Sequence, residues 1–183
     1  MLNRSNRSSG FTLPEVLVTV AIVAILAAVV VPAVTQQITK GESGQFVGSY
    51  GGVQTGVTSF VADVRRFPVA LSQMSTAPVN GDSVINTTLN ATEVARWAGP
   101  YLQTEVARAG TLEIGFGLKG KDTLWVDNNF LAMTVSASNT DSSVIVHVDS
   151  LMDKGDGNAA GTVRWSQGGG TFDSAWVRIV TYR

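Results

Sequence analysis

The longest uniform pattern along the chain is an apolar stretch near its N-terminus. Residues 16–34 form 19 consecutive positions without a charged side chain. A helix of that length rises about 28 Å, close to the thickness of the hydrocarbon core of a bilayer. A secretory signal has a shorter apolar region, and a buried core helix would need protein on every side. The stretch therefore predicts a membrane-spanning helix.

A second apolar pattern predicts a helix over residues 44–66. Six residues recur at intervals of three and four and should form one stripe that packs on a sheet: Phe46, Tyr50, Val53, Val57, Phe60 and Val64. Pro68 marks the end of this helix, because the residue before a proline disfavours helical geometry. Glycines at every fourth position from Gly44 to Gly56 offer either a packing groove or a flexible segment.

Residues 69–105 predict a variable surface loop, because residues 69–92 are rich in Ser, Thr, Asn, Pro and Gly. Within this region, residues 93–103 predict a short helix that stops at Gly99 and Pro100.

Residues 111–183 alternate in the manner of an antiparallel sheet. Residues 112–118 place Leu112, Ile114, Phe116 and Leu118 on one face of a half-buried strand. Further strands are predicted at 123–126, 130–137, 143–148, 162–165 and 175–182, with turns at 127–129 and 168–170. A long helix laid across such a sheet makes an α+β domain.

Charge and composition exclude several classes of function. The chain has 13 Lys plus Arg against 14 Asp plus Glu, so it has no global basic signature for nucleic acid. The absence of cysteine excludes a disulfide framework and a cysteine nucleophile. His147 is the only histidine, is predicted to lie on the outer face of a strand, and has no recognisable catalytic motif around it. We therefore expect that the protein is not an enzyme.

The junction before the apolar stretch carries the most specific motif. Gly10 and Phe11 are followed by Thr, Leu, Pro and then Glu15, after a short segment whose Arg4 and Arg7 favour a cytoplasmic N-terminus. This junction resembles the processing site of the type IV pilin and type II secretion pseudopilin family. Pro32 occupies a position at which that family commonly has proline.

The resemblance implies how the chain is processed and where it is assembled. A prepilin peptidase would remove the leader, residues 1–10, by cleaving between Gly10 and Phe11, and Phe11 would be N-methylated. Residues 11–40 would form the transmembrane and assembly helix, and residues 41–183 the exported pilin-like head. The subunit would pass from the inner membrane into a filament in the periplasm or at the cell surface. Its partners would be itself, other pilin-like subunits and an inner-membrane assembly platform.

One further segment bears on the kind of filament. Trp97, Gly99, Pro100, Tyr101 and Leu102 resemble a segment of major pseudopilins, although the Asp-Pro-Trp element that follows in that family is missing. Trp97 and Tyr101 could equally be core anchors four residues apart. Pilus and pseudopilus both stay open.

Glu15 and Pro32 are the candidate assembly residues. A carboxylate within a membrane segment is costly without a partner, and cleavage would create an amine at Phe11 with which Glu15 could pair, in its own or a neighbouring subunit. Glu15 could instead only favour the positive end of the helix dipole. Pro32 removes a backbone donor and should kink the helix or mark its end.

Four residues form a candidate calcium site: Asp149, Asp153, Asp156 and Asn158. They fall within ten residues, among glycines that let the chain curl, and calcium prefers oxygen ligands. The spacing differs from that of an EF-hand, and an Asp/Gly turn between strands is the alternative. The resemblance favours calcium, because similar pseudopilins often bind it in a C-terminal loop.

Two functions follow from these patterns. The first is a structural subunit, a pilin or pseudopilin, that assembles into a filament. The alternative is a single-pass, membrane-anchored binding domain that does not polymerise.

Overall fold

The computed structural model describes residues 11–137, 142–168 and 171–182. The chain divides into two units, Met1–Gly41 and Glu42–Arg183. Helix α1 runs from Leu13 to Val64 and contributes residues to both units. The helix predicted at 44–66 is therefore the C-terminal part of a longer one, and its predicted start was wrong because Gly41 and Gly44 do not interrupt the helix.

In the first unit, α1 exposes apolar side chains around its whole circumference. All described residues from Phe11 to Val34 are exposed. The hydroxyl groups of Thr19 and Thr35 donate to the carbonyls of Val16 and Val31, at 2.9 and 3.0 Å. The helix thus satisfies its own hydroxyl donors, as a helix in lipid must.

The second unit contains the remaining elements and the C-terminal part of α1. Its short helices are α2 (Ser72–Ser75) and α3 (Ala91–Val94), and its longer helix is α4 (Ser142–Asp153). The strands are β1 (Ser83–Val84), β2 (Thr87–Thr88), β3 (Thr111–Gly115), β4 (Leu118–Asp127), β5 (Phe130–Ala137), β6 (Val163–Gly168) and β7 (Thr171–Thr181). Strands β1 and β2 form a small hairpin of their own.

The main sheet has five strands in the order β3-β4-β5-β7-β6, and every neighbouring pair is antiparallel. Strand β7 lies between β5 and β6, so it is an interior strand although it comes last among the strands. The expected α+β, pilin-like fold is confirmed: a long N-terminal helix packs on an antiparallel sheet.

The apolar stripe of α1 packs into the core of this unit, as its spacing predicts. Five of its six residues are buried: Phe46, Val53, Val57, Phe60 and Val64. The sixth, Tyr50, is partly buried, and its hydroxyl donates to the carbonyl of Arg178 at 2.8 Å. Gln54 Nε2 donates to the carbonyl of Ile179 at 3.1 Å. Hydrogen bonds thus join α1 to β7 beside the apolar contact.

The strand predicted at 143–148 was wrong, because these residues belong to α4. Alternating apolar residues suggested a strand. The buried and partly buried apolar residues also fit one face of a helix, and they are Val144, Ile145, Val148 and Met152. His147 consequently lies on a helix, where its ring meets the edge of Phe116 at 5.3 Å between centroids. The prediction that it lies on the outer face of a strand was wrong as well.

Residues 112–118 form a hairpin and not one strand. Gly115, Phe116 and Gly117 all have positive φ angles, of 100°, 55° and 69°, and the chain reverses at these residues between β3 and β4. The alternation of apolar residues across 112–118 continues through this turn, so the sequence pattern did not indicate the turn. Positive φ is unstrained at the two glycines, whereas at Phe116 it is unfavourable because the residue has a bulky side chain.

The predicted loop at 69–105 contains more structure than expected: α2, the β1–β2 hairpin and α3. Leu71, Met74, Val84 and Leu89 bury their side chains in the core. The helix predicted at 93–103 is shorter and earlier, since a capping box at Asn90 and Glu93 starts it at Ala91 and it ends at Val94.

One helix end and one turn match their predictions. Helix α1 ends at Val64, just before Pro68, and residues 127–129 connect β4 to β5. In the turn predicted at 168–170, Gly168 ends β6, whereas Gly169 and Gly170 lie outside the described residues.

Candidate functional site

The N-terminal end of α1 carries the candidate processing and assembly residues. The leader, residues 1–10, lies outside the described residues, so cleavage after Gly10 stays a prediction. Phe11 is 85% exposed, and the carbonyl of Thr12 accepts from the amides of Glu15 and Val16 at 3.1 and 3.2 Å. Glu15 lies in the first turn of α1, where a carboxylate favours the positive end of the helix dipole.

Pro32 lies inside α1, and the helix continues beyond it. The interpretation of Pro32 as a helix end was therefore wrong. Proline has no amide hydrogen, so the carbonyl of Ala28, four residues earlier, cannot accept the usual helical bond from residue 32. This missing bond is the local weakness that the sequence predicts in the apolar half of the helix.

The apolar half of α1 is the one helical segment in the described residues that is long and apolar enough to cross a membrane. No residue in the most apolar 18-residue segment of this helix is buried. Its exposed side chains are those of Val, Ile, Leu and Ala, which lipid tails or other apolar helices cover at no cost in hydrogen bonds.

The second candidate site is a cluster of three aspartates in the Glu42–Arg183 unit. Asp149 and Asp153 lie one helical turn apart on α4, and Asp156 follows in the next loop. One carboxylate oxygen from each residue lies within 4.8 Å of the others. The structure thus brings together three of the four predicted calcium ligands.

The loop after α4 is curled tightly around these carboxylates. Asp153 Oδ2 accepts from the amides of Thr162 and Val163, each at 2.7 Å, and Asp149 Oδ2 accepts from that of Gly157 at 3.3 Å. The fourth predicted ligand, Asn158, lies in the same loop, where its carbonyl accepts from the amide of Trp165 at 3.4 Å.

Asp149 is the most confined of the three. It is only 2% exposed, and its Oδ1 is buried without a hydrogen-bond partner. Burial raises the pKa of Asp149, and the charges of Asp156 and Asp153 raise it further. The ion pairs formed by the described residues include none of these aspartates.

This donor set fits a hard cation. Calcium takes six to eight oxygen ligands, and three carboxylates can supply up to six. An unpartnered buried oxygen and carboxylate oxygens of like charge within 4.8 Å of one another are both unfavourable without a cation. The cluster therefore suits calcium chemically.

Sequence reasoning missed two buried acidic residues with structural roles, Glu93 in the capping box of α3 and Asp122. Asp122 on β4 is buried and accepts from the amide and hydroxyl of Ser72, at 2.7 and 3.1 Å, and from the amide of Ala109 at 2.7 Å. A signal was present, because Asp122 follows Leu118 and Gly120 at the buried positions of an alternating strand. The Asp122 carboxylate attaches α2 and the 107–110 turn to the sheet.

Residues 97–102 contact the core in the structure, where Leu102 is buried and Trp97 and Tyr101 are partly buried. Trp97 Nε1 donates to the carbonyl of Gln73 at 3.0 Å, and its ring lies 5.6 Å from that of Tyr101. The Tyr101 hydroxyl donates to Asp63 Oδ2 at 2.8 Å, and burial with the nearby Asp63 charge raises the pKa of Tyr101 although the Ala98 amide opposes the shift.

Comparison with known proteins gives one match. No curated protein and no solved structure matches the chain. Residues 5–31 match the family model described as the prokaryotic N-terminal methylation motif, which covers the predicted cleavage site and most of the apolar stretch. The chain therefore carries the type IV pilin and pseudopilin signal, which indicates a pilin-like precursor processed by prepilin peptidase.

Proposed function

We propose that this chain is a structural subunit that polymerises through its N-terminal helix into a type IV pilus or a type II secretion pseudopilus. The observation that carries the proposal is the methylation motif leading directly into a fully exposed apolar helix. We assign residues 1–10 to the leader, 11–40 to the membrane and assembly helix, and 41–183 to the exported head.

Each Val, Leu or Ile of the apolar half of α1 contributes about 1.5–3 kcal/mol when lipid removes it from water, which holds the subunit in the membrane. Assembly exchanges lipid for the helices of other subunits, and because lipid tails are equally apolar, close packing between helices favours this step. Assembly, and not chemistry on a substrate, is the work of the subunit.

Glu15 provides specificity in this proposal. Cleavage between Gly10 and Phe11 leaves a charged, N-methylated amine at Phe11. Among apolar helices, the Glu15 carboxylate needs a cationic partner, and the amine of a neighbouring subunit satisfies it only at one axial offset. Pro32 loosens the helix and lets neighbouring helices pack around one another.

We further propose that Asp149, Asp153 and Asp156, with Asn158 in the same loop, bind calcium. Bound calcium would neutralise the crowded carboxylates. These residues would hold the 155–162 loop against α4, which is consistent with the amide bonds that Asp153 already accepts from Thr162 and Val163.

Mass spectrometry of the mature protein from cells that contain the peptidase tests processing. We expect a new N-terminus at methylated Phe11, whereas an intact Met1 would overturn the proposal.

Substitution of Glu15 tests assembly separately. We expect Glu15→Ala to remove the subunit from filaments while leaving it processed and in the membrane. Glu42→Ala is the matched control, an acidic residue on the same helix outside the apolar half, and should still assemble. Normal incorporation of Glu15→Ala would favour the membrane-anchored binding domain instead.

A further inference from the structure

Three aromatic side chains lie on the outer face of the five-stranded sheet, away from the core. Trp125 on β4, Phe130 on β5 and Trp176 on β7 alternate with the buried, inward-facing residues of their strands. Among the described residues, the core and the partly buried apolar side chains that pack on it include none of these three. Single exposed apolar residues need no explanation, but a cluster of aromatic rings outside the core does.

The two tryptophans form one surface whose rings are held in place. The ring centroids of Trp125 and Trp176 lie 5.8 Å apart. Trp125 Nε1 donates to the Thr134 hydroxyl at 3.2 Å, and Trp176 Nε1 donates to Asp127 Oδ2 at 3.1 Å. The polar N–H groups of this tryptophan surface, Trp125 and Trp176, are thus already bonded to the sheet. It offers a ligand the exposed area of its rings, chiefly that of Trp125, which is 36% exposed.

Ion pairs on the same face neutralise most of its charge. Asp127 is paired with Arg178, and Glu113 is paired with Lys119 at 3.4 Å. The Arg178 guanidinium also lies over the Phe130 ring and is engaged there. A single-stranded nucleic acid would need unpaired cations along its phosphates, and the two carboxylates would repel it. A neutral ligand therefore fits this face better than a polyanion.

Hydrogen-bonding groups surround the tryptophan surface. Lys121 and Thr123 are exposed and precede Trp125 on the outer face of β4. Arg164 on β6 is the Cα partner of Trp176 and is partly exposed. A ligand seated on the rings would therefore meet ammonium, hydroxyl and guanidinium groups at its edge.

The exposed apolar area of the sheet is too small for a protein partner. In the described part of the chain after α1, the exposed large apolar side chains are those of Val79, Trp125, Val146 and Leu151. Trp125 is the only one of these four that lies on the sheet. A stable protein–protein interface buries about 800 Å² on each partner. The tryptophan surface thus suits a small ligand.

We propose that the tryptophan surface binds a neutral oligosaccharide, with one sugar ring stacked on Trp125. A pyranose ring has a flat face of C–H groups, whose slight positive charge is attracted to the negative face of an aromatic ring. Hydroxyl groups surround the edge of the sugar and match the donors around the tryptophans. This ligand lies beyond the proposed assembly function and does not rest on it, because all the residues involved belong to the Glu42–Arg183 unit.

Indole N–H signals in ¹H–¹⁵N NMR spectra test the proposal on the full-length protein. The protein is kept in micelles of a polyoxyethylene detergent, because a sugar-based detergent would compete. The probes are three neutral oligosaccharides: maltotriose, cellotriose and N-acetylated chitotriose. We expect at least one of them to shift the Trp125 and Trp176 signals with a Kd of about 1 mM. The signals of Trp97 and Trp165, which lie in or against the core, should stay unchanged.

Matched variants separate ring stacking from apolar burial, with binding measured from the Trp176 signal. Trp125→Phe keeps a flat aromatic face and should weaken binding less than about fivefold. Trp125→Leu keeps an apolar side chain without a ring and should weaken binding at least tenfold. Both variants lose the same bond to Thr134, so that loss does not account for the difference. Val146→Ala, an exposed apolar residue on α4, should bind as the wild type does. Unchanged Trp97 and Trp165 signals show that each variant is folded.

Four results would overturn the proposal. The first is no shift of the Trp125 and Trp176 signals with any of the three oligosaccharides, and the second is equal binding by Trp125→Phe and Trp125→Leu. The third is tighter binding of an oligothymidylate of about ten nucleotides, which would indicate a nucleic-acid surface. The fourth is a shift that depends on protein concentration without sugar, which would indicate contact between two copies of the chain.

Discussion

Asp127 and Arg178 form an ion pair across the outer part of the sheet, with Arg178 Nε donating to Asp127 Oδ2 at 2.7 Å. The two side chains are only 12% and 11% exposed, respectively. Trp176 Nε1 donates to the same oxygen at 3.1 Å, and the guanidinium lies 4.5 Å from the centre of the Phe130 ring. The pair links the end of β4 to β7 across β5.

We expect Asp127→Asn to lower the free energy of unfolding by about 2 kcal/mol at pH 7. The reason is that the hydrogen bond between the charged and largely buried side chains of Asp127 and Arg178 is lost. Burial alone would raise the pKa of Asp127, but the bonds from Arg178 and Trp176 and the charges of Arg178 and Arg164 outweigh burial and lower it. Denaturant unfolding in detergent micelles measures the loss.

The lowered pKa fixes the pH dependence of that difference. A carboxyl whose pKa is lower in the folded state contributes stability above its unfolded pKa of about 4, and this contribution disappears as the pH falls through the folded value. The wild type should therefore approach Asp127→Asn in stability only below about pH 4. Arg108→Ala is the control, since Arg108 in its pair with Asp82 is 79% exposed and should contribute under about 0.5 kcal/mol.

Calcium should raise the melting temperature of the protein relative to a chelator. The reason is that a ligand bound only by the folded state stabilises it by mass action. In Asp149→Asn we expect the calcium effect to disappear, while stability in chelator does not fall, because one crowded charge has been removed. Glu105→Gln, an exposed acid outside the cluster, should keep the effect. Equal melting temperatures of the wild type in calcium and in chelator would show that these residues do not bind calcium.

Gly161→Ala should destabilise the loop that surrounds the aspartates. Gly161 has φ of 68°, and an added Cβ would approach Asp153 Cγ to 2.6 Å and Asp156 Oδ2 to 2.7 Å. We expect a loss of about 1–3 kcal/mol in thermal or denaturant unfolding. Gly155→Ala, also at positive φ but with no atom within 4 Å of its Cβ, should lose less. Equal losses would show that backbone strain alone acts at both positions.

The glycine row of α1 should respond unequally to substitution. At Gly56 a Cβ would lie 3.0 Å from Leu102 Cδ2 and 3.2 Å from the Tyr101 carbonyl, whereas at Gly44 it would meet nothing within 4 Å. Gly56→Leu should therefore cost about 1–3 kcal/mol through overpacking. Gly44→Leu should gain up to about 1 kcal/mol from helix propensity, and circular dichroism melts would measure both.

The parts of the fold that were predictable are those with local causes. The stripe from Phe46 to Val64 predicted the buried face of α1, and Pro68 predicted its end, because helix periodicity and proline geometry act within a few residues. The strand at 130–137 was predicted with its exact bounds, since its alternation and the preceding Asn residues agree.

The errors have non-local causes. Residues 143–148 fit both a strand and a helix by pattern, and the contact of His147 with Phe116, 31 positions away, is not visible in the sequence. The aspartate cluster was predictable as a group, because Asp149, Asp153 and Asp156 are close along the chain. The burial of Asp149 Oδ1 without a hydrogen-bond partner depends on tertiary packing.

The place of β7 between β5 and β6 constrains the order in which the head can be completed. Among the described strands, β6 is hydrogen-bonded only to β7, so during synthesis it has no strand to pair with until β7 has been made. The Tyr50 and Gln54 side chains of α1 likewise cannot form their hydrogen bonds until Arg178 and Ile179, whose carbonyls accept them, have been synthesised. A helix made early thus acquires its last hydrogen bonds from a strand made late, and the unfinished head must remain protected from aggregation in between.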